Sequence, residues 1–220
     1  MTEQIKPSEI EKRSMEIITA ELHTLGIVPD EENAAVILRA IHTSADFDYA
    51  RNLRFTKAAV RLGVDALRAG APVVTDTNMG LAGVNKTALK KLGGSAVCYM
   101  ADADVAAAAK LTGVTRASIS MEKAAREHPN AVFAVGNAPT ALMRLSQLIE
   151  DGLRPALVIG VPVGFVNVVE AKELIWDTCE KFGIPAIVAF GRKGGSNVAA
   201  AIANALLYSA AGMESPSARA

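Results

Sequence analysis

From residue 72 onward, short apolar runs alternate with helical patterns, and no other feature restricts the possible folds as much. The runs are Pro72–Thr75, Ala96–Tyr99, Ala131–Val135, Ala156–Ile159 and Ala186–Phe190. Each is too short for a stable helix and lacks strict alternation, as expected of strands covered on both faces. Helical patterns separate them, notably Asp102–Leu111, Thr140–Ile149, Asn167–Phe182 and Asn197–Leu207. Strands alternating with helices predict right-handed crossovers and a mostly parallel sheet. The expected architecture is a three-layer, doubly wound α/β fold of about five strands with an N-terminal helical segment.

That segment reads as three helices. Ser8 and Glu11 fit a capping box ahead of Ile10, Ile17, Ile18, Leu22 and Leu25, and Gly26 ends the pattern. A second helix starts at Pro29-Asp30 and runs through Ile41 into His42-Thr43-Ser44-Ala45-Asp46; a third spans roughly Thr56 to Ala69. No linker or repeat divides the chain, so one domain is expected over residues 1–212. Residues 213–220 are expected to form a disordered tail. Half of the residues are hydrophobic and 5% are aromatic, which predicts an aliphatic core.

Charge narrows the choice of partner. Lys and Arg number 23, as do Asp and Glu, so no global field draws the chain to nucleic acid or anionic lipid. No segment is apolar enough to span a bilayer and the first residues are polar, which together predict a cytoplasmic protein. Cys98 and Cys179 lie far apart and outside any CxxC motif, as befits buried, reduced thiols. The three histidines and two cysteines show no metal-ligand spacing.

In doubly wound sheets, ligands bind beyond the carboxyl ends of the strands. Here those ends carry Thr75-Asp76-Thr77-Asn78-Met79, Gly136-Asn137-Ala138-Pro139-Thr140, Gly160-Val161-Pro162-Val163-Gly164-Phe165 and Gly191-Arg192-Lys193-Gly194-Gly195-Ser196. Any one of them is also an ordinary tight turn; together they favour a site. The last could cradle carboxylate or phosphate at a helix N-terminus, or be a capped helix with two solvated cations. GxxxxGK[ST], GxGxxG and GxSxG are all absent, so P-loop, dinucleotide and serine-hydrolase chemistry lack support. Arg116 could clamp a carboxylate or form a surface ion pair. His42, at the end of an apolar helix face, could be a general acid or a packing residue. His23 and His128 read as structural or exposed.

Taken in order, these segments resemble one family. Arg13-Ser14-Met15, Ile41-His42-Thr43 through Asp46-Phe47-Asp48, Thr75–Met79 and Thr115-Arg116 match it. So do Val135-Gly136-Asn137-Ala138-Pro139-Thr140-Ala141-Leu142, Val161-Pro162-Val163-Gly164-Phe165-Val166 and Gly191–Ser196. The chain resembles the precorrin-8X methylmutases over nearly its whole length, and its wording around His42 and Asp76 is more like the cobalt-dependent, anaerobic branch. The resemblance implies an isomerase of cobalamin biosynthesis, moving a methyl group from C-11 to C-12 of cobalt-precorrin-8 or precorrin-8X by a 1,5-sigmatropic shift. It implies a homodimer with sites built partly at the interface, His42 as the acid that protonates a ring nitrogen, and Ser14 as a substrate contact. Thr43, Lys86, Thr115, Arg116, Asn137, Thr140, Arg192 and Ser196 are the remaining expected contacts for a macrocycle bearing acetate and propionate arms. An internal rearrangement requires no protein cofactor, and any cobalt is carried by the substrate.

Two departures cost a hydroxyl each. Ala171 stands in Glu170-Ala171-Lys172 and Ala117 follows Arg116, where the family commonly has serine, so contacts from those hydroxyls are not expected here. A corrinoid carrier without turnover, and an α/β enzyme of phosphorylated metabolites, are the alternatives from other classes.

Overall fold

The computed structural model describes residues 7–215, with the side chains of residues 7 and 8 left outside, and with them the Ser8 half of the expected capping box. The chain opens with α1 (Pro7–Thr24), α2 (Glu31–Ser44), α3 (Tyr49–Asn52), β1 (Leu53–Phe55) and α4 (Ala59–Arg68). There follow β2 (Val73–Thr75), α5 (Asn78–Gly83), α6 (Lys86–Lys91), β3 (Ala96–Val97), α7 (Ala103–Thr112) and α8 (Arg116–Glu127). It closes with β4 (Val132–Val135), α9 (Pro139–Glu150), β5 (Leu157–Gly160), α10 (Val168–Phe182), β6 (Ala186–Ala189) and α11 (Ser196–Ala211).

Local chemistry sets several of these limits. The Asp30 carboxylate accepts from Glu32 N at the start of α2, and Thr77, Asn85 and Thr115 cap α5, α6 and α8 in the same way. Helix α1 stops where Gly26 takes φ +68°, a conformation that spares glycine the usual Cβ clash.

The five expected strands are all present and parallel, and the sheet holds a sixth. Its order is β1-β6-β5-β4-β2-β3, with β1 antiparallel to β6 at the edge. Strand β1 spans only three residues and buries only Leu53 fully, too little for a periodic signal. It nonetheless shields the open edge of β6. The third helix also starts later than expected, at Ala59 rather than Thr56. Thr56 Oγ1 is taken by Ala186 N at 2.8 Å, and Ala58 turns left-handed at φ 57°.

Strand residues alternate between two apolar layers. Val132, Ala134, Leu157, Ile159 and Ile187 pack with α1, α2, α4 and α11. Phe133, Val135, Val158, Ala186 and Val188 pack with α8, α9 and α10. Both faces are dry, which is why the strands read as unbroken apolar runs. Cys179 is buried and Cys98 only half-buried, short of the burial expected for both; neither is in a disulfide. Met213, just past α11, is buried in the first layer; residues 216–220, most of the expected tail, lie outside the described residues.

The strand order has one topological reversal. Strand β3 lies on one side of β2, whereas β4, β5 and β6 follow on the other. The switch point therefore falls between β2 and β4, and a crevice for ligands is expected at their carboxyl ends.

Candidate active site

The switch point is closed by a carboxylate. Asp76 follows β2 and is buried. Its Oδ1 accepts from Gly136 N at 2.8 Å, and its Oδ2 from Asn137 N at 2.8 Å and Ala138 N at 2.7 Å. Desolvation pushes its carboxyl above the ordinary value, against the pull of those three donors. Asp76 thus ties the end of β2 to the turn that starts α9.

The other loops lock onto this turn. A Cβ on Gly136 would lie 2.6 Å from Ser196 Cα, and one on Gly194 would lie 2.0 Å from Val161 O. Only glycine allows these backbone approaches. Thr77 and Ser196 share a 2.7 Å hydroxyl–hydroxyl bond, and Gly195 N donates to Val161 O at 2.9 Å. All four loops singled out in the sequence therefore meet on one edge of the sheet.

Several expected contact residues gather there. Thr115 and Thr140 join their hydroxyls at 2.8 Å, which brings together the N-termini of α8 and α9 beside exposed Arg116. Asn137 is exposed on the Asp76-bound turn. Ser196 opens α11. Arg192 is exposed, its guanidinium 5.7 Å from the ring centre of Phe165. Helix N-termini with nearby arginines suit ligands bearing carboxylates.

His42 is exposed in the last turn of α2. With Thr43 it lines a cleft of about 270 Å³, whose walls include Arg39, Gly83, Asn197, Asn204 and Tyr208. Asn197 directly follows Ser196, so the cleft adjoins the strand-end loops. The loop after His42 is tethered too: Lys193 Nζ pairs with Asp46 at 2.7 Å and Asp48 at 2.6 Å. Burial pushes the Asp46 carboxyl up, but Lys193 and the Asp48 N–H outweigh it, leaving the carboxyl below its ordinary value. Lys193 is thus a half-exposed clasp between the β6–α11 and α2–α3 loops.

Lys172 supports that clasp from beneath. It is fully buried on α10 and donates to Gly191 O and Lys193 O, both at 2.8 Å. Burial lowers its amine to about 8 from 10.5. Between those values the unfolded chain holds a proton that the folded chain lacks, so stability rises with pH across the window. Lys172→Met is expected to abolish that rise, measured as denaturant midpoints at pH 7.5 and pH 10. It should also cost about 1–3 kcal/mol through the two stranded carbonyls.

Two expected contacts stand apart from this group. Lys86 turns its ammonium onto Leu81 O and, at 2.8 Å, Val84 O, closing the end of α5. Ser14 is half-buried on α1, and its hydroxyl donates to Ile10 O at 2.8 Å.

The structure adds residues that the sequence did not single out. Arg39 lies one helical turn before His42, on the same face of α2. Asn197, Ala201, Asn204 and Tyr208 all line the cleft, and their spacing of four, three and four marks one stripe of α11. That stripe was readable; its proximity to His42 was not. No group of three or more His, Cys, Asp or Glu side chains that could hold a metal occurs among the described residues, and none of their helices is long and apolar enough to cross a membrane.

Known proteins give the geometry a context. A family model described as precorrin-8X methylmutase matches residues 9–209. The chain is 44% identical to the cobalt-precorrin-8 methylmutase of Priestia megaterium, over 92% of this chain and 88% of that protein. It is 49% identical to the Salmonella typhimurium protein of the same description, over 79% and 80%. A Pseudomonas aeruginosa precorrin-8X methylmutase is 38% identical over 90% and 93%. Among solved structures, the precorrin-8X methylmutase of Thermus thermophilus superposes with a TM-score of 0.82 at 38% identity, covering 93% of this chain and 98% of that one.

Proposed function

The chain belongs to the precorrin-8X methylmutase family, and from that premise we propose that His42 is the acid of a corrin-ring isomerase. The activity is methyl migration on a corrinoid substrate, an intramolecular rearrangement within corrin-ring biosynthesis. In this proposal the methyl group leaves C-11 for C-12 of the bound macrocycle while His42 places a proton on a ring nitrogen. The cleft carries the proposal. Of the side chains lining it, only the imidazole belongs to a type that readily exchanges protons near neutrality. Arginine stays charged, and a phenol needs far more basic conditions.

The remaining assignments follow the chemistry of a flat ring with acidic arms. Arg116 and Arg192 pair with peripheral carboxylates, and Thr43, Thr115, Asn137, Thr140 and Ser196 donate hydrogen bonds along the strand-end loops. Ser14 contacts substrate from α1. Lys86 spends two N–H donors on Leu81 O and Val84 O and has the third for a substrate carboxylate. The cobalt form is the favoured substrate, because the relatives at 44% and 49% identity carry that description while the Pseudomonas protein is at 38%. Cobalt in that form is part of the substrate.

A homodimer completes the proposal. Met79 in the first turn of α5 and Phe165 on the β5–α10 loop are 71% and 81% exposed at the carboxyl edge of the sheet, where a second subunit would cover them. Sedimentation equilibrium should give twice the chain mass; a monomer at micromolar concentration would count against a shared site.

Turnover separates an isomerase from a carrier. Incubation of the protein with cobalt-precorrin-8 should change the visible spectrum to that of cobyrinic acid through many cycles per chain. A single stoichiometric binding change would identify a carrier instead.

A further inference from the structure

Among the described residues, none hydrogen-bonds or ion-pairs with the His42 imidazole. A catalytic histidine is commonly oriented by a third group such as a carboxylate, and none of them holds this ring. Its place in the cleft is therefore set through the main chain at the end of α2.

That end is strained. Ala45 caps the helix at φ 53° and ψ 29°, its N–H donating to Ile41 O at 2.7 Å. Glycine is the usual residue in this conformation, because a Cβ crowds the following carbonyl. Such a turn persists only where its surroundings hold it. Here the hold begins at the next residue. Asp46 N donates to Ser44 Oγ at 3.2 Å, and Asp48 N donates to Asp46 Oδ1 at 3.0 Å. Both carboxylates then meet Lys193 Nζ, at 2.7 and 2.6 Å. His42 stands four residues before Asp46, and Asn197 four after Lys193. Both line the cleft, so the bridge joins its two walls.

The Lys193 ammonium is poorly suited to a substrate arm. One cation between two carboxylates leaves a net negative group, which repels an acid. Its main chain, in contrast, is held without the side chain. Lys172 Nζ donates to Gly191 O and Lys193 O, and Gly164 N donates to Arg192 O at 3.3 Å. Arg192 therefore keeps its place when the Lys193 side chain is shortened.

Resting on the reading of His42 as the acid, we propose that Lys193 is a positioning residue for methyl migration. Its bridge to Asp46 and Asp48 holds the left-handed turn behind His42 and so fixes where the imidazole stands beside the substrate. Lys193 acts on the rate through His42 and leaves substrate affinity to other groups.

Lys193→Met should lower kcat about 10–100-fold, the cost of displacing a reacting group by about 1 Å. The dissociation constant for cobyrinic acid should stay within a few-fold of wild type. Lys193→Arg, which keeps a cation with two prongs, should recover most of the rate. The decisive comparison is a double variant. On a His42→Ala background, Lys193→Met should lower the single-turnover rate no further, because its effect runs through a group already removed. If Lys193→Met folds poorly, Asp48→Asn weakens the bridge from an exposed position and is read in the same cycle. A loss in the double variant as large as in the wild-type background, or a fall in affinity matching the fall in rate, would overturn the positioning role. His42→Ala protein at the wild-type rate would instead remove the reading of His42 on which the proposal rests.

Discussion

Alanine in place of His42 should lower kcat about 100- to 10,000-fold while leaving the dissociation constant for cobyrinic acid within a few-fold of wild type. The range is what a positioned general acid contributes. The side chain is exposed at a helix end, so its removal opens no core cavity and should leave the melting temperature within a few degrees. Loss of rate without loss of binding or stability is the signature of a group used mainly in the transition state. Single-turnover kinetics beside equilibrium titration would separate the two quantities. Should binding fall in step with the rate, His42 would be a contact and not the acid.

The second large effect concerns Asp76. Its two oxygens satisfy three main-chain N–H groups at the switch point. Hydrogen bonds to a charged partner contribute about 1.5–3 kcal/mol each and are not fully additive. Asp76→Ala is expected to cost about 3–5 kcal/mol, which for a chain of this size lowers the melting temperature by roughly 10 °C or more. Asp76→Asn should recover little, because its amide can turn an acceptor to only one side and must present an NH₂ to the other donor. Activity should fall in both variants even well below the melting temperature, since the same turn carries Asn137 and adjoins Ser196. Calorimetry and turnover at low temperature would check each half; an Asp76→Ala protein as stable as wild type would show that water replaces the carboxylate.

These two residues also show what a sequence can and cannot reveal. The layered fold was legible because strands dry on both faces leave unbroken apolar runs, and because alternation with helices admits few topologies. Strand β1 left no such trace, with three residues and an exposed Arg54 at its centre. Helices α5 and α6, six residues each, were hidden for the same reason: less than two turns shows no period.

The site was legible in part. His42 stood out through its position and the family resemblance, and the four strand-end loops do converge. Asp76 was visible within its motif, but its partners are backbone amides 60 to 62 residues away, which no side-chain pattern marks. Arg39 pairs with a glutamate 28 residues earlier, a contact fixed only when α1 docks on α2. The sequence left Lys193 open between an anion cradle and a solvated cation, because its two aspartate partners come near it only in the folded chain. Long-range ion pairs arise from tertiary packing, so local sequence carries little of them.

Whether this chain moves a methyl group within a corrinoid can be read from labelled substrate. Cobalt-precorrin-8 carrying ¹³C in the C-11 methyl group would be incubated with the protein and its His42→Ala variant, and the product read by NMR. The label should appear on C-12 with wild type and stay on C-11 with the variant. Label remaining on C-11 with the wild-type protein, under conditions where the corrinoid is bound, would contradict the migration.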